Sequence, residues 1–287
     1  MSQGVTVSSP SDSPPTVSVS EFLSTAVARL ARAGCASPRL DAELLVAAAL
    51  GRERWEVVAN PELEVPVEAR PLLEQWLVRR ERREPLAYII GRRAFRTIEL
   101  TIDRRVLVPR PETELLVEVA LGTPAGGAVH DVGTGSGAVA LALAAERPDL
   151  RISASDSAPA AIAVARENAQ RLGLPVFFEV ADLLPPRLRR EGGDRADLVV
   201  ANLPYVAEHE WTELAPEIRL YEPRSALVAG PHGSELIAAL VAVAPRGQRM
   251  ALEHAPHQAD EVRALLREPQ TLCDLAGHPR VTVGFVP

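Results

Sequence analysis

The sequence predicts an α/β protein: a mostly parallel sheet covered on both faces by helices, preceded by a smaller helical domain. Three observations carry that prediction. From residue 128 onward short apolar runs alternate with helical patterns. The first of those runs ends in a glycine-rich turn that opens a helix. Residues 20–85 hold only helix-period patterns.

Composition bounds the function. At 287 residues the chain has room for two domains, and 47% hydrophobic residues supply a sizeable core. No apolar run approaches the ~18 residues of a membrane span. The net charge of −7 argues against a protein whose whole surface binds nucleic acid. Every basic side chain is an arginine, which excludes lysine chemistry. Cys35 and Cys273 lie far apart and form neither a disulfide framework nor a metal motif. The N-terminus lacks the basic start and apolar stretch of a secretory signal, so a soluble, cytoplasmic protein is expected.

Residues 1–19 are mostly Ser, Pro, Val and Thr and read as a disordered tail. Ser20 reads as an N-cap, followed by Phe22, Leu23, Ala26, Val27 and Leu30 at helical spacing, with Gly34 ending the run. A second helix fits Pro38 to Leu50, with Gly51 just beyond it. A third carries Leu72, Leu73, Trp76 and Leu77 and stops before Pro85. The run Arg79 to Glu84 reads as a solvated helix end with i,i+3 and i,i+4 pairs. From Arg79 to Arg110 ten arginines face only Glu81, Glu84, Glu99 and Asp103, a basic band that is either a solvated face or a steering surface for an acidic partner. Residues 86–110 form a linker, expected as a hairpin with strands 94–100 and 101–108 broken at Asp103-Arg104-Arg105. Pro109-Arg110-Pro111-Glu112-Thr113-Glu114 then announces a helix start, whose buried face is Leu115, Leu116, Val119 and Ala120.

Residues 111–287 make the second domain. Ala128 to Val132 reads as a buried strand, closed by Gly133-Thr134-Gly135-Ser136-Gly137. The alternate glycines remove Cβ atoms where the chain turns sharply and lets a ligand touch backbone. Ala138 starts a helix whose free N–H groups face that ligand. The next strand, Arg151 to Ser155, ends in Asp156, roughly 20 residues after the glycines, where a carboxylate takes ribose hydroxyls. This is a nucleoside site. Gly133-x-Gly135-x-x-Ala138 also satisfies the dinucleotide fingerprint, so a nicotinamide or flavin enzyme stays open. Gly137 and the acidic Asp131 lean instead towards S-adenosylmethionine. Further on, helices fit 157–172, 234–244 and 259–267, and strands fit 176–180, 197–201, 249–252 and 281–285. Asp182 and Asn202 follow strands, so they share the carboxyl-end rim with the glycines and Asp156.

Asn202-Leu203-Pro204-Tyr205 suits methylation of a planar nitrogen, whose delocalised lone pair is a poor nucleophile. The Asn side-chain carbonyl and the following backbone carbonyl are two acceptors for an NH₂ group. They fix the nitrogen in line with a methyl donor and favour the charge that develops on it. Pro204 stiffens the turn, and Tyr205 offers a ring to a flat substrate. A plain strand-end turn is the competing reading.

These motifs, with Glu84-Pro85-Leu86-Ala87-Tyr88-Ile89-Ile90-Gly91, Val108 to Glu114 and Tyr221-Glu222-Pro223-Arg224-Ser225-Ala226-Leu227, resemble the HemK-like family of release factor glutamine N5-methyltransferases over nearly everything after residue 19. Pro-Arg-Pro-Glu-Thr-Glu is the most specific piece and the glycine loop the least. The resemblance implies a helical domain for substrate recognition, a β-hairpin linker, and a seven-stranded, Rossmann-like S-adenosylmethionine-dependent methyltransferase sheet. It implies a monomer without stable nucleic-acid binding whose partner is a class 1 peptide release factor, methylated on the glutamine of its Gly-Gly-Gln motif. It places cofactor contacts on Gly133, Thr134, Gly135, Ser136, Gly137, Asp156, Asp182, Leu183 and Asn202, and substrate contacts on Arg110, Asn202, Leu203, Pro204 and Tyr205.

Two departures stand out. Leu203 replaces the first proline of the family's Asn-Pro-Pro-Tyr, which keeps the carbonyl and loses the fixed φ. Val241 to Arg249 is also a few residues shorter than the family's helix-to-strand turn. Asn-Leu-Pro-Tyr also resembles ribosomal RNA adenine-N6 dimethyltransferases, so an adenine-N6 nucleic-acid methyltransferase is one alternative, and an inactive cofactor-binding partner of the translation machinery is another. His254 and His257 are three apart, but Pro256 interrupts the helix that a metal site would use, so no metal is expected.

Overall fold

The structure, a computed structural model, describes residues 17–189 and 194–287. The chain divides into two units, residues 1–90 and 91–287. The tail expected over 1–19 lies outside the described residues up to residue 16, and its end is corrected. Ser18, not Ser20, caps the first helix, Val19–Arg32, by a capping box. Glu21 N donates to Ser18 Oγ at 3.2 Å, and Ser18 N donates to Glu21 Oε2 at 2.9 Å. That shift buries Val19 completely.

The first unit continues with helices Pro38–Leu50, Arg54–Ala59, Arg70–Glu81 and Leu86–Ile90. Leu45, Val46, Val57, Val65, Leu73 and Ile89 share its core. Because Ile89 belongs to that core, the unit ends at Ile90 rather than at residue 85. The run Arg79–Glu84 differs from a solvated helix end. Arg80 is buried and its Nε donates to Asp41 Oδ2 at 2.8 Å, while Arg79 grips Glu84 and the Tyr88 carbonyl.

The second unit opens with a hairpin of β1 (Arg92–Phe95) and β2 (Ile98–Thr101). Its turn falls at Arg96-Thr97, not at 103–105, because Arg96 takes a left-handed φ of 49° and its side chain is held by Glu146 and Glu118. Residues 102–110 are irregular. A 3₁₀ turn over Pro111–Thr113 leads into the helix Glu114–Leu121. Then come β3 (Ala128–Val132), β4 (Arg151–Asp156), β5 (Phe177–Val180), β6 (Leu198–Ala201), β7 (Val206–Ala207), β8 (Val228–Gly230), β9 (Arg249–Glu253), β10 (Arg267–Cys273) and β11 (Pro279–Phe285).

Seven of these strands form one sheet in the order β10-β11-β9-β6-β3-β4-β5. The pairings from β9 to β5 are parallel; β11 runs antiparallel to β9, and β10 to β11. The helix Ala138–Glu146, seven of whose nine residues are buried, follows β3, and Pro159–Leu172 follows β4. The chain steps from β3 outward to β5, then returns to the other side of β3 with β6. The order therefore reverses between β3 and β6, and a crevice opens at their carboxyl ends.

Candidate active site at the carboxyl ends of β3 and β6

Register places the two key turns side by side. Val132 pairs with Ala201, so Gly133 and Asn202, the first residues after each strand, stand next to one another. Gly133 N and Thr134 N both donate to the Ser155 carbonyl, at 2.9 and 3.0 Å, which fastens the glycine loop to β4. Gly135 has a φ of +55°, and a Cβ built on it would meet nothing within 4 Å. The loop thus presents bare backbone to open space, in a conformation that glycine adopts without strain and with a clearance that any side chain would fill.

Gly133, Gly135, Asp156, Asp182, Leu183, Asn202, Leu203 and Pro204 line one cleft. An adjoining recess is lined by Arg110, Thr113, Asp131, Thr134 and Ser136 and shares Gly133, Gly135 and Asn202 with the cleft. Gly137 and Tyr205 line neither. Gly137 stands at the start of the helix Ala138–Glu146, where a Cβ would press on Leu141. Tyr205 is packed so that burial pushes its hydroxyl up to about 12, and its backbone carbonyl accepts from Gln258 Nε2 at 2.9 Å.

The cleft fits an adenosine. Asp156 Oδ2 accepts from Gly135 N and its Oδ1 from Ala158 N, both at 2.9 Å. Each carboxylate oxygen keeps a lone pair for a hydroxyl, and the backbone donors hold the group in place. In the recess, Thr134 Oγ1 donates to Asp131 Oδ2 at 2.6 Å, while burial pushes the Asp131 carboxyl up to about 7. A cationic ligand group there meets a buried acid it would help to ionise.

On the substrate side, Asn202 Nδ2 donates to Thr113 Oγ1 at 2.9 Å, and no group among the described residues hydrogen-bonds its Oδ1. No backbone N–H among them donates to the Leu203 carbonyl. Two acceptors therefore stand ready at the end of β6. Leu203 is buried, and its Cδ2 lies 3.0 Å from where a Cβ on Gly133 would sit, so the departure from proline fills the space beneath the glycine loop. The turn is braced by Gly233 (φ +89°), where a Cβ would come within 2.5 Å of the Tyr205 carbonyl oxygen. Arg110 Nη2 donates to both carboxylate oxygens of buried Glu222, at 2.8 and 2.9 Å, which joins the Pro-Arg-Pro-Glu-Thr-Glu and Tyr-Glu-Pro motifs.

Sequence reasoning gave no role to Thr113, Glu253 or Asn168. Glu253 ends β9 with 1% exposure, and burial pushes its carboxyl up to about 7. Asn168, fully buried, joins Thr101 of the hairpin to the Ser136 carbonyl of the glycine loop. Thr113 lies inside a motif already singled out, whereas nothing in the sequence flags Asn168. His254 is engaged on both ring nitrogens, by the Ala255 carbonyl and Thr282 Oγ1.

A glycine loop, a strand-end carboxylate and an Asn-led acceptor pair at the switch point of this sheet define an S-adenosylmethionine-dependent methyltransferase. Family models bear on which one. Residues 21–91 match the PrmC N-terminal domain and residues 111–232 the methyltransferase small domain. The release factor glutamine methyltransferase of Caulobacter vibrioides is 40% identical over 89% of this chain and 92% of its own length. That of Vibrio cholerae is 38% identical over 93% and 96%, and that of Pseudomonas aeruginosa 41% over 86% and 92%. The chain belongs to the release factor glutamine methyltransferase family.

Proposed function

We propose that this chain methylates the side-chain amide nitrogen of a glutamine in a class 1 peptide release factor, the Gly-Gly-Gln glutamine that the resemblance implies. The observation that supports this most is the acceptor pair at the end of β6, Asn202 Oδ1 and the Leu203 carbonyl, standing beside the glycine loop. An amide NH₂ has two N–H donors, and the two acceptors match them. Held so, the nitrogen turns its lone pair away from both acceptors and along one fixed line. Both carbonyls also favour the positive charge that grows on the nitrogen as the N–C bond forms, before one N–H proton leaves to solvent.

Gly133, Gly135, Asp156, Asp182 and Leu183 would hold the cofactor's nucleoside, with Asp131, Thr134 and Ser136 beside its remaining part. When bound, S-adenosylmethionine supplies an electrophilic methyl group on a sulfonium sulfur. We assign residues 20–90 to recognition of the protein substrate, residues 91–110 to the linker, and Arg110 to the substrate side of the crevice. The chain acts as a cytoplasmic monomer without stable nucleic-acid binding, in keeping with its acidic balance. No described helix is long and apolar enough to cross a membrane.

Single-turnover transfer of a labelled methyl group tests the reading. Label is expected on purified release factor and not on the same factor with its motif glutamine changed to alanine. Transfer to RNA instead would move the chain to the adenine-N6 class.

A further inference from the structure

One residue of β4 fastens two walls of the cleft. The Ser155 carbonyl accepts from Gly133 N and Thr134 N, at 2.9 and 3.0 Å, and so holds the loop after β3. The Ser155 hydroxyl donates to the Leu183 carbonyl at 3.2 Å, and so holds the loop after β5. Leu183 sits at φ +55°, in the left-handed region that a leucine avoids unless its surroundings keep it there. Of the four non-glycine residues at positive φ among those described, Leu183 alone lines the cleft. The carbonyls on either side of it, of Asp182 and Leu184, are both caught by Arg189. A planar trans peptide points its N–H opposite its C=O, so the grip on the Asp182 carbonyl also aims the Leu183 N–H. Among the described residues no group accepts from that N–H.

Behind Ser155 stands His130 of β3. The parallel register puts His130 opposite Ser153, and its ring spans two hydroxyls on one face of β4. Nε2 lies 3.0 Å from Ser155 Oγ and Nδ1 lies 2.8 Å from Ser153 Oγ. A hydroxyl has a single proton. With that proton on the Leu183 carbonyl, Ser155 Oγ can only accept from the ring, which puts the ring proton on Nε2. Nδ1 is then an acceptor, and Ser153 donates to it. The hydrogen bonds therefore run one way, from Ser153 through His130 and Ser155 to Leu183. His130 and Ser155 are fully buried, where a polar side chain is a cost unless it is hydrogen-bonded, and an apolar one would pack without that requirement. Resting on the proposed contact of Asp182 and Leu183 with the cofactor's nucleoside, we propose that Ser155 is a positioning residue: its hydroxyl, directed by His130, holds the Leu183 turn in the left-handed form that the nucleoside meets.

The test compares Ser155→Ala, which deletes the hydroxyl and keeps the carbonyl under the glycine loop, with Ser155→Thr, which keeps both. Each is read by calorimetric affinity for S-adenosylmethionine and for 5′-methylthioadenosine, which has the nucleoside without the amino-acid part. Ser155→Ala is expected to weaken both ligands by the same factor, roughly 5- to 10-fold, because only a fraction of molecules then keeps the competent turn. Ser155→Thr is expected to recover most of that loss, and the KM for release factor is expected to stay at the parent value in both variants. An affinity for Ser155→Ala within about twofold of the parent, or a loss confined to S-adenosylmethionine, would overturn the proposal. One readout needs neither ligand nor variant. The ring nitrogens of His130 in cofactor-free parent are expected to show the neutral Nε2–H form by their ¹⁵N shifts. The Nδ1–H form would overturn the proposal, since the Ser155 proton would then point at the ring. Failure of the underlying reading looks different: a parent that binds S-adenosylmethionine without moving the Asp182 and Leu183 amide resonances would refute the nucleoside contact itself.

Discussion

At the scale of single residues, the two halves of the Asn-Leu dipeptide contribute differently, and substitutions separate them. Asn202→Ala deletes a side-chain acceptor that no neighbour can replace, and the rate of methyl transfer is expected to fall by about 10²–10³, as for a lost oxyanion-hole donor. Leu203 contributes its carbonyl, which any residue has, so transfer per folded molecule should survive Leu203→Ala. Its side chain, however, belongs to the core beneath β6 with Ile237, Leu240 and Leu252. Truncation is therefore expected to cost about 2–4 kcal/mol of stability, seen as a lower denaturation midpoint with the rate retained. Gly135→Val tests the other side of the crevice. A Cβ there clashes with nothing in the protein, but it occupies the clearance that the nucleoside needs and forces a β-branched residue to φ +55°. Calorimetry should show a large loss of cofactor affinity, and an unchanged affinity would remove the cleft from the cofactor's path.

Elements differ in how openly the sequence announces them. The glycine loop, Asp156 and Asn202 were legible because turn chemistry and strand ends leave local signatures, and register then brings them together without further information. The helix Pro38–Leu50 was legible to the residue, since Pro at its start and Gly51 at φ +61° bracket it. β10 is not: it is an edge strand, exposed along most of its length, its residues show no clean alternation, and the sequence assigns 268–273 no element. The hairpin turn was misplaced for a related reason. Arg96 adopts the left-handed turn geometry through ion pairs with residues 22 and 50 positions away, and no local pattern encodes that. Asn168 is the hidden element-to-element joint. It accepts from Thr101 N at 2.7 Å and donates to the carbonyls of Thr101 and Ser136, both at 3.0 Å. Asn168→Ala leaves the buried Ser136 carbonyl without this partner, at about 1–3 kcal/mol, and removes the partner of the part-buried Thr101 N–H and carbonyl. Lower stability is expected together with weaker cofactor binding, because the glycine loop loses its tie to the hairpin. Unchanged cofactor affinity would show that the loop is held by β4 alone.

For the molecule as a whole, charge resolves into local pairs rather than a field. Within the basic band, Arg79 is matched by Glu84, Arg80 by Asp41, Arg92 by Glu99, Arg96 by Glu146, Arg105 by Glu167 and Arg110 by Glu222. The exposed charges that remain are screened at physiological salt. What does reach the global stability is the buried pair of neighbours in β3. His130, hydrogen-bonded to Ser153 and Ser155, is driven down to about 3 by burial, and Asp131 is driven up to about 7 by the same cause. The unfolded chain protonates such a histidine near 6.5 and such an aspartate near 4. For His130 the unfolded state binds the extra proton between about 3 and 6.5, so its contribution to stability rises with pH over that window. For Asp131 the folded state holds the extra proton between about 4 and 7, so its contribution falls as pH rises and is flat above. The two slopes oppose one another over their shared range. Asp131→Asn removes only the second. In cofactor-free protein, the stability of the variant relative to the parent is therefore expected to climb between about pH 4 and 7 by up to about 1.4 kcal/mol per unit and then level off. Denaturant midpoints across that range measure it, and a difference that stays constant with pH would show that Asp131 ionises in the folded protein as it does in the unfolded chain.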